Sequence, residues 1–594
     1  MPIYHAPLRD IDFILNEIVG IDAVARLPGY EEATPDLVRT LVEESAKLCE
    51  NILLPLNRTG DEEGCAFENG VVRTPKGFKE AYDAYVKGGW TGLTCAPEWG
   101  GQGMPNVLGF VLSELMCATN LSFATYPGLS HGAYSAIERH AEPDLKAVYL
   151  PKLASGEWTG TMCLTESHCG TDLGLIRTKA IPAGNGTHKI TGTKIFISAG
   201  EHDLTSNIIH LVLAKLPDAP PGTKGISLFL VPKFLVNDDG SVGARNGIAC
   251  GGIEHKMGIK ASSTCVINLD DATGWLVGEM HGGMRAMFTM MNGARLGVGI
   301  QGIGLAEVAY QNALNYARER LQGRALKGPA FPDKAADPII VHPDVRKNLL
   351  TMRAYTEGAR ALAYWVGVQI DISQTHPDEA ARDEAEEFVA LITPIVKALF
   401  TDIGFEVTNL GVQIYGGHGY IREHGMEQFV RDARIAQLYE GTNGIQALDL
   451  VGRKLGKDYG RLLRRFFHPL EKFLSEHATD KGMAELIGPL AKAFGKLQQA
   501  TVHIAQVGLR DPEEAGAAAT DYLRLFGLVA LGFMWARMAK VASAKANGGD
   551  DRFHDAKLST ARFYMQKILP QTQALFITIM AGKKTLMEPA ADWF

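Results

Sequence analysis

Gln437-Leu438-Tyr439-Glu440-Gly441-Thr442-Asn443-Gly444-Ile445-Gln446 is the stretch on which the reading of this chain turns. Arg431-Asp432-Ala433-Arg434-Ile435-Ala436 precedes it, charged and then apolar. Ala447-Leu448-Asp449-Leu450-Val451-Gly452 follows, a helix-like run. Glu440 therefore stands at a junction, and Gly441 lets the backbone turn where a side chain would block it. A carboxylate on such a turn can be aimed into a cleft as a base. Read alone, the same residues more often describe the end of a strand or helix whose carboxylate points into water.

Outward from this turn the texture is helical. Two long helices are predicted over 284–322 and 342–375, and a third over 379–411. Beyond 455 four amphipathic segments, 459–476, 481–509, 512–545 and 551–583, fit a bundle. Asn547-Gly548-Gly549 separates the last two. Toward the N-terminus, 159–278 is different: Val, Ile and Thr cluster in short runs broken by glycine. Strands are predicted at 180–182, 189–191, 194–198, 208–214, 226–231 and 264–269, with Gly184-Asn185-Gly186 as a hairpin turn. Their spacing suits a barrel or sandwich. Residues 1–158 read as helical: Thr34-Pro35 starts one helix, and others are predicted at 75–87, 107–118, 132–140 and 145–153. The expected organisation is α+β: an N-terminal helical domain (1–158), a central β-domain (159–278), a helical bundle domain holding Glu440 (279–455) and an additional C-terminal helical domain (456–594).

A length of 594 residues agrees with several domains. The net charge of -8 argues against a nucleic-acid surface. The eight cysteines are scattered without a C-x-x-C pair, so no metal site or disulfide framework is predicted. They suit a reducing compartment. Met1-Pro2-Ile3-Tyr4-His5 opens no signal peptide, and the strongest apolar run, 525–536, is too short to cross a bilayer. The expectation is a cytoplasmic protein with no membrane span.

Gly297-Val298-Gly299-Ile300-Gln301-Gly302 fits the dinucleotide pattern G-x-G-x-x-G. That pattern needs a strand before it and a βαβ unit around it, whereas its flanks here are helical. The glycines are read instead as a small face for close packing of a helix or a ligand. Two further stretches carry polar groups in suggestive order. In Met162-Cys163-Leu164-Thr165-Glu166-Ser167-His168-Cys169-Gly170-Thr171-Asp172, hydroxyls at 165 and 171 and amides freed by Gly170 could bond a polar ring edge or a phosphate. In Gly192-Thr193-Lys194-Ile195-Phe196-Ile197-Ser198, Phe196 and Ser198 fall on one strand face, an aromatic and a hydroxyl suited to a planar cofactor. A polar turn and an ordinary core phenylalanine describe them as well.

Taken in order, these stretches resemble the acyl-CoA dehydrogenases. With them go Lys256-Met257-Gly258-Ile259-Lys260, Ala317-Arg318-Glu319-Arg320 and Gln413-Ile414-Tyr415-Gly416-Gly417-His418-Gly419-Tyr420. The resemblance spans about residues 35–455. It implies an FAD enzyme that dehydrogenates an acyl-CoA thioester between Cα and Cβ. Glu440 would be the base that takes the pro-R α-proton. Met162, Leu164, Thr165, Gly170 and Thr171 would lie against the flavin, with Phe196 and Ser198 beside its ring. Arg320, Gln413 and Gly417 would hold the FAD of a neighbouring subunit, which implies at least a dimer. Thr442 would lie near the FAD phosphates, and Asn292 and Arg295 along the substrate's pantetheine. An electron-transfer flavoprotein would accept the electrons.

The chain departs from the usual pattern at Ser167-His168-Cys169, where Pro-Gly-Ala is common, at Phe196, usually Trp, and at Gly444, often polar. With its extension beyond 455 it resembles a long bacterial branch. That implies 3-methylmercaptopropionyl-CoA as substrate, in dimethylsulfoniopropionate breakdown, or alternatively a medium- or long-chain fatty acyl-CoA. An oxygen-using acyl-CoA oxidase and a non-catalytic acyl-CoA- or flavin-binding scaffold are the other readings.

Overall fold

In the computed structural model, which describes residues 2–546 and 551–594, the Val-, Ile- and Thr-rich stretch becomes a seven-stranded sheet. Its strands are β1 (Trp158–Cys163), β2 (Lys179–Pro182), β3 (His188–Ser198), β4 (Asn207–Lys215), β5 (Ile226–Pro232), β6 (Ile248–Ile253) and β7 (Thr264–Val277). Pairing runs β7 to β3, β3 to β2, β2 to β4, β4 to β5, and β5 back to β7, so five strands close a barrel. β6 extends it beside β7 and β1 lies parallel to β4. β7 closes the ring by changing partner: Thr264–Gly274 faces β3 and Trp275–Val277 faces β5. β4 is buried along nearly its whole length, as its apolar run, broken only by His210, requires of a strand covered on both sides. β1 was not predicted as a strand. Gly160 at its centre is needed for close approach: a Cβ there would lie 2.4 Å from the Ala133 Cβ.

By backbone proximity the described chain forms two compact units, interleaved in sequence. One comprises 44–104 and 115–297 and holds the barrel; the other comprises 1–43, 105–114 and 298–594. The four stretches read from sequence texture thus regroup in space. The predicted helices 107–118 and 132–140 are one helix, α1 (Asn106–His140), kinked at Asn120 and with Pro127 inside. Its middle, Leu121 to Tyr126, is largely apolar and lacks the polar face that marks an amphipathic helix in sequence.

The second unit is helical. Its long members are α2 (Gly283–Glu319, which enters the unit at Val298), α3 (Pro343–Thr375) and α4 (Glu379–Tyr415). The short α5 (Asn443–Asp449) follows the Glu440 turn. Then come α6 (Arg461–Glu476), α7 (Ala484–Gly508), α8 (Pro512–Lys545) and α9 (Phe553–Phe563). The helix predicted over 551–583 is broken: α9 runs into a wider turn, Tyr564–Ile568, and a separate helix, Gln571–Met580, begins after Pro570, whose ring cannot continue a helix interior. The Asn547-Gly548-Gly549 break lies outside the described residues.

The rejected dinucleotide pattern lies wholly inside α2. A Cβ on Gly302 would come within 2.2 Å of the Phe400 carbonyl oxygen, and one on Gly404 within 2.6 Å of the Gly302 Cα. These glycines bring α2 and α4 into backbone contact. α3 carries the fully buried Arg360, whose Nε bonds Glu114 at 2.7 Å, whose Nη1 bonds Asp10 at 2.5 Å and whose Nη2 bonds Glu307 at 2.7 Å. Lys557 of α9, equally buried, bonds Asp10 and, at 2.7 Å, Glu357. The C-terminal extension is therefore tied to the N-terminal segment and α3 by buried charge, which costs about 3–5 kcal/mol to break from one side.

Three helices, Asn106–His140, Glu379–Tyr420 and Pro512–Lys545, are long and apolar enough to cross a membrane, contrary to the expectation drawn from the 525–536 run alone. Between 78% and 83% of each apolar window is buried inside the protein, so these helices are core.

Candidate functional site

Glu440 occupies a tight turn between the short helical turn Ile435–Gln437 and α5. Its φ is +59° and that of Gly441 is +84°, two successive left-handed residues. For a residue with a side chain that conformation costs about 1–2 kcal/mol and persists only when the surroundings impose it. Here they do. Thr442 caps α5, its hydroxyl accepting from the Ile445 amide at 3.4 Å. Gln446 Nε2 donates to the carbonyl oxygens of Glu440 (3.1 Å) and Gly441 (3.2 Å). Tyr439 donates its hydroxyl proton to Gln301 on α2. The Glu440 backbone is thus fixed, while the residue itself is half-buried.

In the barrel unit, Met162 is half-buried one residue before the end of β1, Leu164 is 8% exposed in the core, and the Thr165 carbonyl accepts the Ile195 amide at 2.9 Å. Gly170 and Thr171 are exposed. A buried pair builds this loop. Lys194, with no exposed side-chain surface, donates to Glu166 at 2.9 Å and to the Leu164 carbonyl at 3.0 Å. Glu166 also accepts from the Thr178 hydroxyl (2.6 Å), the Thr178 amide (3.0 Å) and the Arg177 amide (2.7 Å). Burial alone would raise the Glu166 carboxyl. Lys194 and the hydrogen bonds outweigh it and hold the group down to about 2. Ser167 and His168 form the tip of a turn closed by mutual backbone bonds of Glu166 and Cys169, 2.9 and 3.0 Å. Glu166, His168 and Cys169 bring possible ligand atoms within 4.8 Å of one another. Glu166 is already saturated by donors and His168 Nε2 bonds the Leu175 oxygen at 2.9 Å, so the group is a hydrogen-bonded turn.

Phe196 stands at a β-bulge: pairing with β7 shifts register between Cys265 and Ile267. The bulge breaks the simple alternation assumed from sequence, since Ile190, Lys194 and Ile197 are the buried positions around it. Phe196 has φ +59° and is 59% exposed, and Ser198 is half-buried. A strained backbone that holds a bulky ring outward, two residues from the Ser198 hydroxyl, fits a planar ring with a polar edge.

Arg320, Gln413 and Gly417 are all exposed. Arg320 follows α2, Gln413 lies in the last turn of α4 and Gly417 lies in the turn Gly416–Tyr420. The stacked rings of Tyr316 and Tyr415 (4.1 Å between centroids) and the 2.8 Å bond of Tyr316 to His418 Nδ1 hold these two helix ends together. Thr442 is exposed. On α2, Asn292 is exposed, whereas Arg295 is 5% exposed with its guanidinium 5.8 Å from the Phe288 ring centre.

Four family descriptions match the chain in succession between residues 38 and 589. Residues 38–157 match the acyl-CoA dehydrogenase N-terminal domain, 161–272 the middle domain, 281–455 the C-terminal domain, and 466–589 the acetyl-CoA dehydrogenase C-terminal-like domain. The chain belongs to the acyl-CoA dehydrogenase family, oxidoreductases whose cofactor is FAD. It is 44% identical to 3-methylmercaptopropionyl-CoA dehydrogenase of Ruegeria pomeroyi, over 96% of this chain and 97% of that one. It is 34% identical to a butyryl-CoA dehydrogenase of Syntrophomonas wolfei, over 98% and 97%. An acyl-CoA dehydrogenase from Bacillus anthracis complexed with FAD shares the fold, with a TM-score of 0.75, 22% identity and coverage of 96% of this chain and 92% of that chain.

Proposed function

We propose that the protein oxidises 3-methylmercaptopropionyl-CoA to 3-methylthioacryloyl-CoA, as a step of dimethylsulfoniopropionate degradation. The observation that carries this reading is the 44% identity, over nearly the full length of both chains, with an enzyme of that name. Glu440 takes the α-proton. An α-proton of a thioester is weakly acidic, so the base must be held rigidly and its carboxylate desolvated by the bound substrate. The locked turn at Glu440 supplies the rigidity. Bound FAD supplies the hydride acceptor for the β-hydrogen, which no side chain can be. Phe196 and Ser198, with Met162, Leu164, Thr165, Gly170 and Thr171, hold the flavin ring; Thr442 lies near its phosphates; Arg320, Gln413 and Gly417 hold the FAD of a second subunit in a homodimer. Asn292 and Arg295 line the pantetheine. The electrons pass to an electron-transfer flavoprotein, and the eight free cysteines suit a cytoplasmic setting.

A second reading, a straight short-chain acyl-CoA, is favoured by the Syntrophomonas butyryl-CoA dehydrogenase, which aligns over the same extent. Anaerobic titration of the yellow protein with 3-methylmercaptopropionyl-, butyryl-, octanoyl- and palmitoyl-CoA, followed by flavin bleaching, separates the two. Bleaching at the lowest concentration by the first supports the proposal. Preferential bleaching by another overturns the substrate, and bleaching by none overturns the function.

A further inference from the structure

Two side-chain amides flank Glu440 symmetrically in sequence, Gln437 three residues before it and Asn443 three after. Both donate to one carboxylate oxygen of Asp402 on α4, Gln437 Nε2 at 2.7 Å and Asn443 Nδ2 at 2.7 Å. The orientation of each amide is fixed from its other side. The Gln437 oxygen accepts from Arg434 at 3.1 Å. The Asn443 oxygen accepts from Lys397 at 2.9 Å, a lysine with no exposed surface. Arginine and lysine can only donate, so each amide must present its oxygen to the cation and its NH2 to Asp402. One oxygen with two lone pairs, as Asp402 presents, accepts both.

We propose that Asp402 is a positioning residue for Glu440, acting through Gln437 and Asn443. It pins both feet of the left-handed turn to α4 and so sets where the Glu440 carboxylate stands when the α-proton is taken. This inference rests on the reading of Glu440 as the base. The turn needs such a device, because a strained φ of +59° relaxes once its anchors are cut. Gln446 shows the same demand: its Oε1 is buried without a hydrogen-bond partner among the described residues, while its Nε2 is committed to the carbonyls of Glu440 and Gly441. In Asp402→Asn the amide oxygen can take the place of the single carboxylate oxygen that accepts both bonds, so both feet stay held. In Asp402→Ala the Gln437 foot loses its hold on α4, while Asn443 loses one bond and keeps Lys397, the Thr401 hydroxyl and the Ala398 carbonyl.

The test uses the FAD-loaded full chain and three variants, Asp402→Asn, Asp402→Ala and Glu440→Gln. Stopped-flow flavin reduction is followed with the acyl-CoA that bleaches the wild type, unlabelled and deuterated at Cα. A displacement of about 1 Å at a reacting group costs up to about a hundredfold in rate. Flavin reduction should stay within about twofold of wild type in Asp402→Asn, which keeps the accepting oxygen, and fall about tenfold or more in Asp402→Ala. FAD content and acyl-CoA affinity should stay within about twofold, and the Cα deuterium effect should grow as proton abstraction becomes slower. A wild-type reduction rate per bound flavin in Asp402→Ala, or a slowed rate with an unchanged Cα deuterium effect, overturns the positioning role. Glu440→Gln separates the two failures. If it still reduces its flavin, the assignment of the base falls and the role of Asp402 with it. If it is inactive while Asp402→Ala is unimpaired, only the role of Asp402 falls.

Discussion

Lys194→Met removes one cation from the interior of the barrel unit, and its cost can be worked from the partners it leaves. Glu166 is 5% exposed and would retain the Thr178 and Arg177 donors but lose its counter-charge. Its carboxyl is held down from 4.5 to about 2. At about 1.4 kcal/mol per pKa unit, the folded state favours the carboxylate by roughly 3 kcal/mol. Much of that belongs to Lys194, and stranding a buried carboxylate costs about 3–5 kcal/mol. The expected loss is therefore about 3 kcal/mol of local stability at pH 7, a roughly hundredfold faster amide hydrogen exchange across Glu166 to Thr178 and β3. The sign with pH follows from the depressed carboxyl. The stabilisation is complete above pH 4.5 and is lost as pH falls toward 2, so the gap between wild type and variant should narrow on acidification. The double variant Lys194→Met/Glu166→Gln, with no stranded charge, should exchange more slowly than Lys194→Met. A gap below about 1 kcal/mol at pH 7, or one that stays constant from pH 7 to pH 3, would refute the reasoning.

Two other perturbations probe the scaffold. Gly302→Ala should cost about 3 kcal/mol, because its methyl would lie 2.2 Å from the Phe400 oxygen, while Gly297→Ala in the same motif meets nothing within 4 Å and should gain up to about 1 kcal/mol; their thermal midpoints should move in opposite directions. His202 and His210 are pushed down to about 3, first by burial and then by Lys233, so their stabilisation is present above about pH 6.5 and lost as pH falls toward 3. Replacing both with glutamine should lower the number of protons taken up on acid unfolding of the barrel by about two, measured as the slope of stability against pH.

The strands of the barrel were legible because buried strands write themselves as short apolar runs, β4 above all. The long helices were legible because their periodicity survives over 30 residues. β1 was not, since Gly160 and two threonines read as a loop until β4 lies alongside them. The bulge at Phe196 was invisible for the same reason: a register shift belongs to the partner strand, not to the sequence that carries it. At the Glu440 turn, the residues Glu440-Gly441-Thr442 announce a sharp reversal before a helix. Asp402 does not announce itself, because it lies 35 and 41 residues from the amides it holds.

The claim on which the account rests is that Glu440 is the base of an acyl-CoA dehydrogenase. Anaerobic mixing of FAD-loaded Glu440→Gln with the acyl-CoA that bleaches the wild-type flavin tests it most directly. The account expects a yellow protein that binds FAD and acyl-CoA and shows no bleaching. Bleaching at the wild-type rate would contradict it and would move the proton transfer to another group.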